Sequence, residues 1–263
     1  MKHSTEYKAS AIAATVNKAM RVIAFSIACL ISISAHAQVK NIVLVHGAFA
    51  DGSGWQKVYN ILTKDGYNVK ILGNSNFGLE EDVTTTNNLL NRLEGPAILV
   101  GHSYGGAIIT KAGMSDKVAG LVYVSAFAPD SAETLGGMLA VGKPDPKNGI
   151  LPPEDGFVWY GKAKFHEGFC ADLPAAEAQF MADSQVPVAA SAFGYVNGEP
   201  AWKHKPSWYC VATEDHTIPP EAERAWAKRM NAHTTEIKGS HVIFISQPEK
   251  VAAVIEEAAK NSK

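Results

Sequence analysis

The chain has 263 residues, of which 46% are hydrophobic and 19% are charged. This composition can fill a globular core and excludes an intrinsically disordered chain. The 24 basic and 26 acidic residues leave a formal net charge of −2, which gives no basis for nucleic-acid binding, and three cysteines exclude a small disulfide scaffold.

The N-terminal segment has the pattern of a secretory signal peptide. Lys18 and Arg21 precede an apolar run over residues 22–34, and a small-x-small sequence ends at Ala37. The run is shorter than the roughly 20 residues that a transmembrane helix needs. The pattern therefore predicts a signal peptide over residues 1–37, cleaved after Ala37. An uncleaved N-terminal anchor is the alternative.

Cleavage would leave residues 38–263 as an exported protein, either periplasmic or secreted, with no membrane attachment. Met1 and Met20 are both candidate starts, since the segment before Met20 is long and polar for a signal peptide. Cys170 and Cys210 remain in the mature chain, and in an oxidising compartment they either pair or stay separate thiols.

Beyond the signal peptide, short apolar runs alternate with segments whose apolar residues recur at helical spacing. In chain order the sequence predicts a strand at 41–46, a helix at 55–64, a strand at 67–72, a helix at 80–93, a strand at 97–101, a helix at 104–113, a strand at 118–125, a strand at 208–213, a helix at 220–230, a strand at 234–237 and a helix at 248–259. This alternation predicts an α/β fold, a mostly parallel sheet with helices on both faces.

The alternation breaks from about residue 128 to residue 206. This stretch is rich in proline, glycine and aromatic residues, and it has one helical patch at 175–182. A structureless loop of this length is uncommon in a compact domain. We therefore expect residues 128–206 to form a helical cap inserted over the sheet.

The sequence GHSYGG at residues 101–106 contains G-x-S-x-G directly after a predicted strand and directly before a predicted helix. That context is the one a nucleophile elbow requires. Gly101 and Gly105 leave room for a tight turn, which exposes the Ser103 hydroxyl above the sheet. The motif predicts that Ser103 is a nucleophile.

A serine nucleophile needs a base and an acid that orients the base, and in such folds they follow in the order Ser, acid, His. His241 follows the last strand and is the predicted base. Asp215 follows the preceding strand and is the predicted acid, with Glu214 as the alternative. His102 is expected to point away from Ser103, because consecutive strand side chains face opposite sides.

Two backbone N–H groups are candidates for an oxyanion hole. Tyr104 directly follows the nucleophile, and Ala48 lies in the loop after the first strand. The sequence has neither H-E-x-x-H nor a Cys/His cluster, and no G-x-G-x-x-G opens the first strand–helix unit. We therefore expect no metal and no cofactor.

Five segments together resemble the α/β-hydrolase superfamily. They are HGAFADGSGW (46–55), GHSYGG (101–106), YVSAFAPD (123–130), TEDHTIP (213–219) and GSH (239–241). Within the superfamily the chain is similar to the branch of plant methyl-ester esterases and hydroxynitrile lyases with their bacterial relatives. The resemblance extends over nearly all of residues 40–260 and implies an α/β-hydrolase fold with a cap.

The resemblance also implies roles for individual residues. Ser103, Asp215 and His241 match the catalytic triad, and Ala48 and Tyr104 match the oxyanion donors. The lyases carry a lysine directly after the catalytic histidine, whereas this chain has valine there. That difference favours ester hydrolysis over lyase chemistry.

The expected function is therefore a serine esterase that needs no cofactor and forms an acyl-enzyme on Ser103. We expect small to medium, neutral, apolar or aromatic esters as substrates, with Phe49, Trp159 and Phe193 as pocket candidates. The alternatives are lyase-like chemistry, a cofactor-free peroxidase or oxygenase, and a non-catalytic small-ligand binding protein. The sequence leaves the oligomeric state open.

Overall fold

The computed structural model describes residues 38–141 and 144–262, and the predicted signal peptide lies outside this part of the chain. The strands are β1 (Asn41–Val45), β2 (Asn68–Leu72), β3 (Ala97–His102), β4 (Val118–Val124), β5 (Phe157–Val158), β6 (Val188–Ala189), β7 (Ser207–Ala212) and β8 (His233–Ile237). Six of them form a parallel sheet in the order β2-β1-β3-β4-β7-β8, and β5 pairs with β6 separately. The predicted parallel α/β architecture is confirmed.

The helices surround this sheet. They are α1 (Gln56–Lys64), α2 (Leu79–Leu90), α3 (Tyr104–Ala112), α4 (Leu135–Leu139), α5 (Lys162–Phe169), α6 (Ala175–Asp183), α7 (Ala190–Gly194), α8 (Pro220–Arg229), α9 (Ile243–Ser246) and α10 (Pro248–Asn261). Helix α1 packs against α10, and α2 packs against α3. Because crossovers between parallel strands are right-handed, the two pairs cover opposite faces of the sheet.

Burial of the strands explains why the sheet forms the core. Every residue of β1, β3, β4 and β7 is buried, as expected for central strands covered on both faces. The edge strand β8 exposes four of its five residues. Helix α10 buries Val251, Val254, Ile255 and Ala258 at helical spacing. The apolar runs that predicted strands are therefore the interior of the sheet.

The strand order places a candidate site at one point of the sheet. Strands β1 and β3 are neighbours, although β2 lies between them in the sequence and pairs on the other side of β1. Open α/β sheets bind ligands at such a reversal, outside the carboxyl ends of the strands. The loop after β1 and the turn after β3 meet there.

The segment between β4 and β7 contains α4 to α7 and the small β5–β6 sheet, and it is bonded to the carboxyl end of the main sheet. The Phe49 N–H donates to the carbonyl of Val186 at 2.9 Å. The Thr217 hydroxyl donates to the carbonyl of Gly168 at 3.0 Å. This segment therefore contacts both the loop after β1 and the loop after β7.

Cys170 and Cys210 are free, buried thiols. Burial raises the pKa of the Cys170 thiol to about 12, so it is protonated at neutral pH.

Within the described ranges, no helix combines the length and the apolar character needed to cross a membrane.

Candidate active site

Ser103 stands at the tight turn between β3 and α3. Its φ is +51°, a left-handed conformation that is strained for a residue with a side chain. The turn is so close that a Cβ on Gly101 would lie 2.5 Å from the carbonyl oxygen of Gly105. The local sequence therefore folds as a nucleophile elbow, with the Ser103 hydroxyl at the start of a helix.

Three side chains from three different loops form one chain of hydrogen bonds. The Ser103 hydroxyl lies 2.8 Å from Nε2 of His241. On the other side of that ring, Nδ1 lies 2.5 Å from Oδ2 of Asp215. The exposed fractions are 5% for Ser103, 0% for His241 and 2% for Asp215. The arrangement can transfer the hydroxyl proton of Ser103 to His241 in a site that excludes bulk water.

The two acids of the loop after β7 have different environments. Asp215 is buried, and its Oδ1 accepts hydrogen bonds from the N–H groups of Thr217 and Ile218 at 2.7 and 2.9 Å. Glu214 is exposed, and its carboxylate lies 3.5 Å from the ammonium group of Lys238. Asp215, the first choice from sequence, is therefore the acid that contacts His241.

The predicted oxyanion donors lie beside the nucleophile. A Cβ on Gly47 would be 2.6 Å from the Cβ of Ser103, so the loop that carries Ala48 lies directly against Ser103. Tyr104 is the first residue of α3, where a helix N–H has no intrahelical acceptor. Among the described residues, neither the Ala48 N–H nor the Tyr104 N–H donates to a protein acceptor. Both are available to a substrate oxygen.

The side chain of Tyr104 is anchored away from Ser103. Its hydroxyl donates to Oδ2 of Asp82 at 2.9 Å, and both groups are buried. Oδ1 of Asp82 accepts from the N–H groups of Ser75 and Asn76. Burial first, and the Asp82 charge second, hold the pKa of Tyr104 well above its ordinary value. The neutral hydroxyl thus links the start of α3 to the loop after β2.

His102 lies closer to the triad than the strand alternation predicts. Its ring centroid is 4.7 Å from that of His241, and its Nε2–H donates to the His241 carbonyl at 3.0 Å. A Cβ on Gly47 would lie 2.9 Å from Nδ1 of His102 and 2.6 Å from the Cβ of Ser103, so both side chains lie against the loop after β1. Burial first, then the His241 ring, hold the pKa of His102 well below its ordinary value. The neutral ring supports the base.

Aromatic rings from the inserted segment cover the triad histidine. The Phe169 ring centroid lies 5.0 Å from that of His241, and the rings of Tyr160 and Phe165 lie within 5.5 Å of Phe169. Phe49 packs edge-on against Tyr160 at 5.5 Å. The sequence indicated an aromatic insertion, but it did not single out Phe169 as the ring in contact with the base.

A cleft of about 210 Å³ lies next to this aromatic cover. Its lining is mixed, with apolar surface from Phe49, Phe180, Met181, Phe244 and Ile245 and charged side chains from Asp51, Lys57 and Glu177. Ser103 does not line it. Phe49 lines the cleft and also packs edge-on against Tyr160 and Phe169, so it connects the cleft to the aromatic cover of His241.

The other two predicted pocket residues do not line this cleft. Trp159 is 41% exposed, and its carbonyl accepts a hydrogen bond from the Leu151 N–H. Phe193 is half-buried, and its backbone faces Gly136. The structure thus brings one of the three predicted pocket residues, Phe49, to the cleft.

The polar groups of the site do not form a metal-binding cluster. Among the residues that the structure describes, no group of three or more His, Cys, Asp or Glu side chains could hold an ion. The groups that do converge are a hydroxyl, an imidazole, a carboxylate and two N–H groups. This set matches the requirements of acyl transfer.

Comparison with known sequences identifies the family. The family model described as "Alpha/beta hydrolase family" matches residues 42–254. The chain belongs to the α/β-hydrolase family. The resemblance drawn from the five sequence segments and the α/β-hydrolase fold are therefore confirmed.

The relatives with similar sequences include a hydrolase, an esterase and a salicylic acid-binding protein. A pyrethroid hydrolase from Sphingobium wenxiniae is 30% identical over 251 residues, covering 84% of this chain and 88% of the relative. A carbendazim-hydrolysing esterase from a Nocardioides species is 32% identical over 166 residues, 55% of this chain and 64% of the relative. Salicylic acid-binding protein 2 from Nicotiana tabacum is 28% identical over 258 residues, 84% and 97% of the two chains.

The fold is also similar to a solved structure. The crystal structure of a pyrethroid hydrolase from Sphingobium faniae matches with a TM-score of 0.73 at 25% identity, covering 85% of this chain and 98% of that one. Together with the esterase and hydrolase relatives, this similarity supports ester hydrolysis as the activity at the level of the family.

Proposed function

We propose that this protein is a serine esterase that hydrolyses carboxylic esters through an acyl-enzyme on Ser103. The observation that carries the proposal is the continuous hydrogen-bond chain from Ser103 through His241 to Asp215, in a member of a hydrolase family. In the proposal, Ser103 is the nucleophile, His241 is the general base and Asp215 orients the base.

The acylation step uses the base and the two oxyanion donors that lie around Ser103. His241 Nε2 takes the proton of Ser103 as its oxygen attacks the ester carbonyl, and Asp215 stabilises the imidazolium that forms. The N–H groups of Ala48 and Tyr104 bind the oxyanion, and each donor contributes on the order of 3 kcal/mol to transition-state stabilisation. His241 then protonates the leaving alcohol.

Deacylation repeats these roles with water as the nucleophile. His241 removes a proton from the water as its oxygen attacks the acyl carbonyl, and the same two N–H groups hold the second oxyanion. Ser103 regains its proton from His241 as the acid departs.

Val242, which follows the base, is a fully buried apolar residue that carries no charge to the site. Its character favours ester hydrolysis over lyase chemistry.

The proposed substrates are small to medium, neutral esters with an apolar or aromatic part. The cleft next to the aromatic cover of His241 is lined in part by aromatic and aliphatic side chains. Phe49 is the shared side chain between this cleft and the cover of His241. We propose that the cleft holds the apolar part of the ester and that Phe49 limits its size.

Hydrolysis of p-nitrophenyl esters from acetate to decanoate tests the proposed function. We expect turnover by residues 38–263, with the highest kcat/KM at a short or medium acyl chain. Acid quenching during acetate turnover should leave an acetyl group on the peptide that contains Ser103. In Phe49→Ala the optimum should move to longer chains, because the side chain that narrows the cleft is gone. Absence of turnover by the folded protein on every ester would refute the proposal.

We further propose that residues 1–37 direct export and are removed after Ala37. The support is the order of basic residues, apolar run and small residues in this segment. N-terminal sequencing of the protein recovered from outside the cytoplasm tests this: a mature chain starting at Gln38 is expected, and an intact N-terminus would contradict it.

A further inference from the structure

Glu223 is a buried acid that the proposed mechanism leaves without a role. It lies in α8, and its side chain is 0% exposed. Its Oε2 accepts a hydrogen bond from the Ala212 N–H at 3.1 Å, which fixes the carboxyl group at the end of β7. Its Oε1 is buried too, and no donor of the described protein reaches it. An ionised carboxylate in this environment would be strongly disfavoured.

The carboxyl group of Glu223 lies within hydrogen-bonding reach of Asp215. Two ionised carboxylates can only accept hydrogen bonds, so a bond between these acids requires a proton on one of them. Both oxygens of Asp215 already accept hydrogen bonds, Oδ1 from Thr217 and Ile218 and Oδ2 from His241. Each oxygen of Asp215 thus already has a hydrogen-bond partner, whereas Oε1 of Glu223 has none and is free to carry a proton. The proton therefore belongs on Glu223.

Arg224 is a cation whose charge favours an ionised Glu223, but its guanidinium is engaged at the surface. From β7, the buried groups Tyr209 and Cys210 face it, and the Tyr209 hydroxyl donates to the carbonyl of Ala126. On its own helix, Arg224 forms a two-bond exposed ion pair with Glu236 at 2.8 and 2.9 Å. Asp215, the remaining neighbour, is an anion that repels a second one.

We infer that Glu223 is protonated in the folded protein and donates a hydrogen bond from Oε1–H to the Asp215 carboxylate, acting as a positioning residue for the triad. Burial first, and the neighbouring Asp215 second, hold the pKa of Glu223 well above its ordinary value. The bond would hold the Asp215 carboxylate in place together with the Thr217 and Ile218 N–H groups. This positioning role rests on the proposed function of Asp215.

Two substitutions separate the hydrogen bond from the volume of the side chain. Glu223→Gln keeps an oxygen for the Ala212 N–H and an N–H donor for Asp215, and it cannot ionise. Glu223→Met has a similar length but donates no hydrogen bond. We expect Glu223→Gln to have a kcat similar to that of the wild type, and Glu223→Met to have a lower one.

The first readout is folding stability against pH, which needs no activity. Wild-type Glu223 keeps its proton when folded and loses it on unfolding above about pH 4.3, the ordinary pKa of glutamate. Unfolding then releases a proton, so a rise in pH destabilises the wild type relative to Glu223→Gln. The folding equilibrium constant of the wild type, divided by that of Glu223→Gln, should fall by up to tenfold per pH unit between pH 5 and pH 8. A constant ratio would show that Glu223 is ionised in the folded protein and would overturn the inference.

The second readout is ester hydrolysis by the three proteins. Glu223→Gln should keep kcat within about threefold of wild type. Glu223→Met should lower kcat by about 10- to 100-fold with KM nearly unchanged, since a hydrogen bond to a charged group that orients the base is lost. Equal kcat values for Glu223→Met and the wild type would overturn the positioning role. If none of the three proteins hydrolyses any ester, the proposed function fails. The pH dependence of stability, compared between the wild type and Glu223→Gln, still decides whether Glu223 is protonated.

Discussion

Ser103→Ala is expected to lower kcat for p-nitrophenyl ester hydrolysis by about 10⁴- to 10⁶-fold. The substitution removes the oxygen that lies 2.8 Å from Nε2 of His241. The oxyanion donors that remain retain an acceleration of about 10³- to 10⁴-fold over the reaction in water. Because alanine differs from serine by one atom, the free energy of unfolding should change by less than about 1 kcal/mol. Steady-state kinetics and urea unfolding measure the two quantities.

Ser131→Ala is the matched control for this loss. Ser131 is exposed, and its hydroxyl donates to Glu199 at the surface, away from the elbow. We expect its kcat to stay within about twofold of wild type. Retention of more than about 1% of wild-type kcat by Ser103→Ala would exclude Ser103 as the nucleophile.

Asp215→Asn is expected to lower kcat by about 10⁴-fold while the fold persists. An asparagine can donate its amide N–H to Nδ1 of His241, which would leave the ring proton on Nε2, facing Ser103. In that tautomer the imidazole cannot accept the serine proton. The measurement is kcat across the pH range in which the variant stays folded, with circular dichroism as the check on folding.

Glu214→Gln is the matched control for the acid. Glu214 is adjacent in the sequence, but its carboxylate is exposed and pairs with Lys238. Exposed ion pairs of this kind contribute at most about 1 kcal/mol to stability. We expect kcat within about twofold of wild type. A larger loss from Glu214→Gln than from Asp215→Asn would assign the orienting acid to Glu214 instead.

Local sequence patterns were sufficient to predict the central strands and the nucleophile elbow of this protein. The apolar runs of β1, β3, β4 and β7 predicted buried strands, and each observed bound differs from the predicted one by one residue at most. The elbow was predictable because its geometry depends on neighbours in the chain. Gly101 and Gly105 approach within a single turn, and the strand and helix around Ser103 are both local structures.

The order of loops along the sheet allowed the predicted triad to be chosen before the fold was known. Ser103, Asp215 and His241 each follow a strand, and parallel strands bring their carboxyl ends to one edge. The sequence could not rank the aromatic residues of the insertion in the same way. Trp159 faces solvent and Phe169 contacts His241, because the packing of α5 against the loops of the sheet decides which rings turn inward.

The sequence by itself thus determined the parallel sheet, the elbow and the candidates that follow its strands, since these depend on hydrophobic period, glycine positions and chain order. Only the tertiary structure decided which groups surround those candidates. His102 supports the His241 carbonyl, Asp82 anchors Tyr104, and Glu223 faces Asp215. These contacts join residues that are 8 to 139 positions apart in the sequence. Side chains so far apart meet only after the helices have packed on the sheet, and burial then sets their protonation.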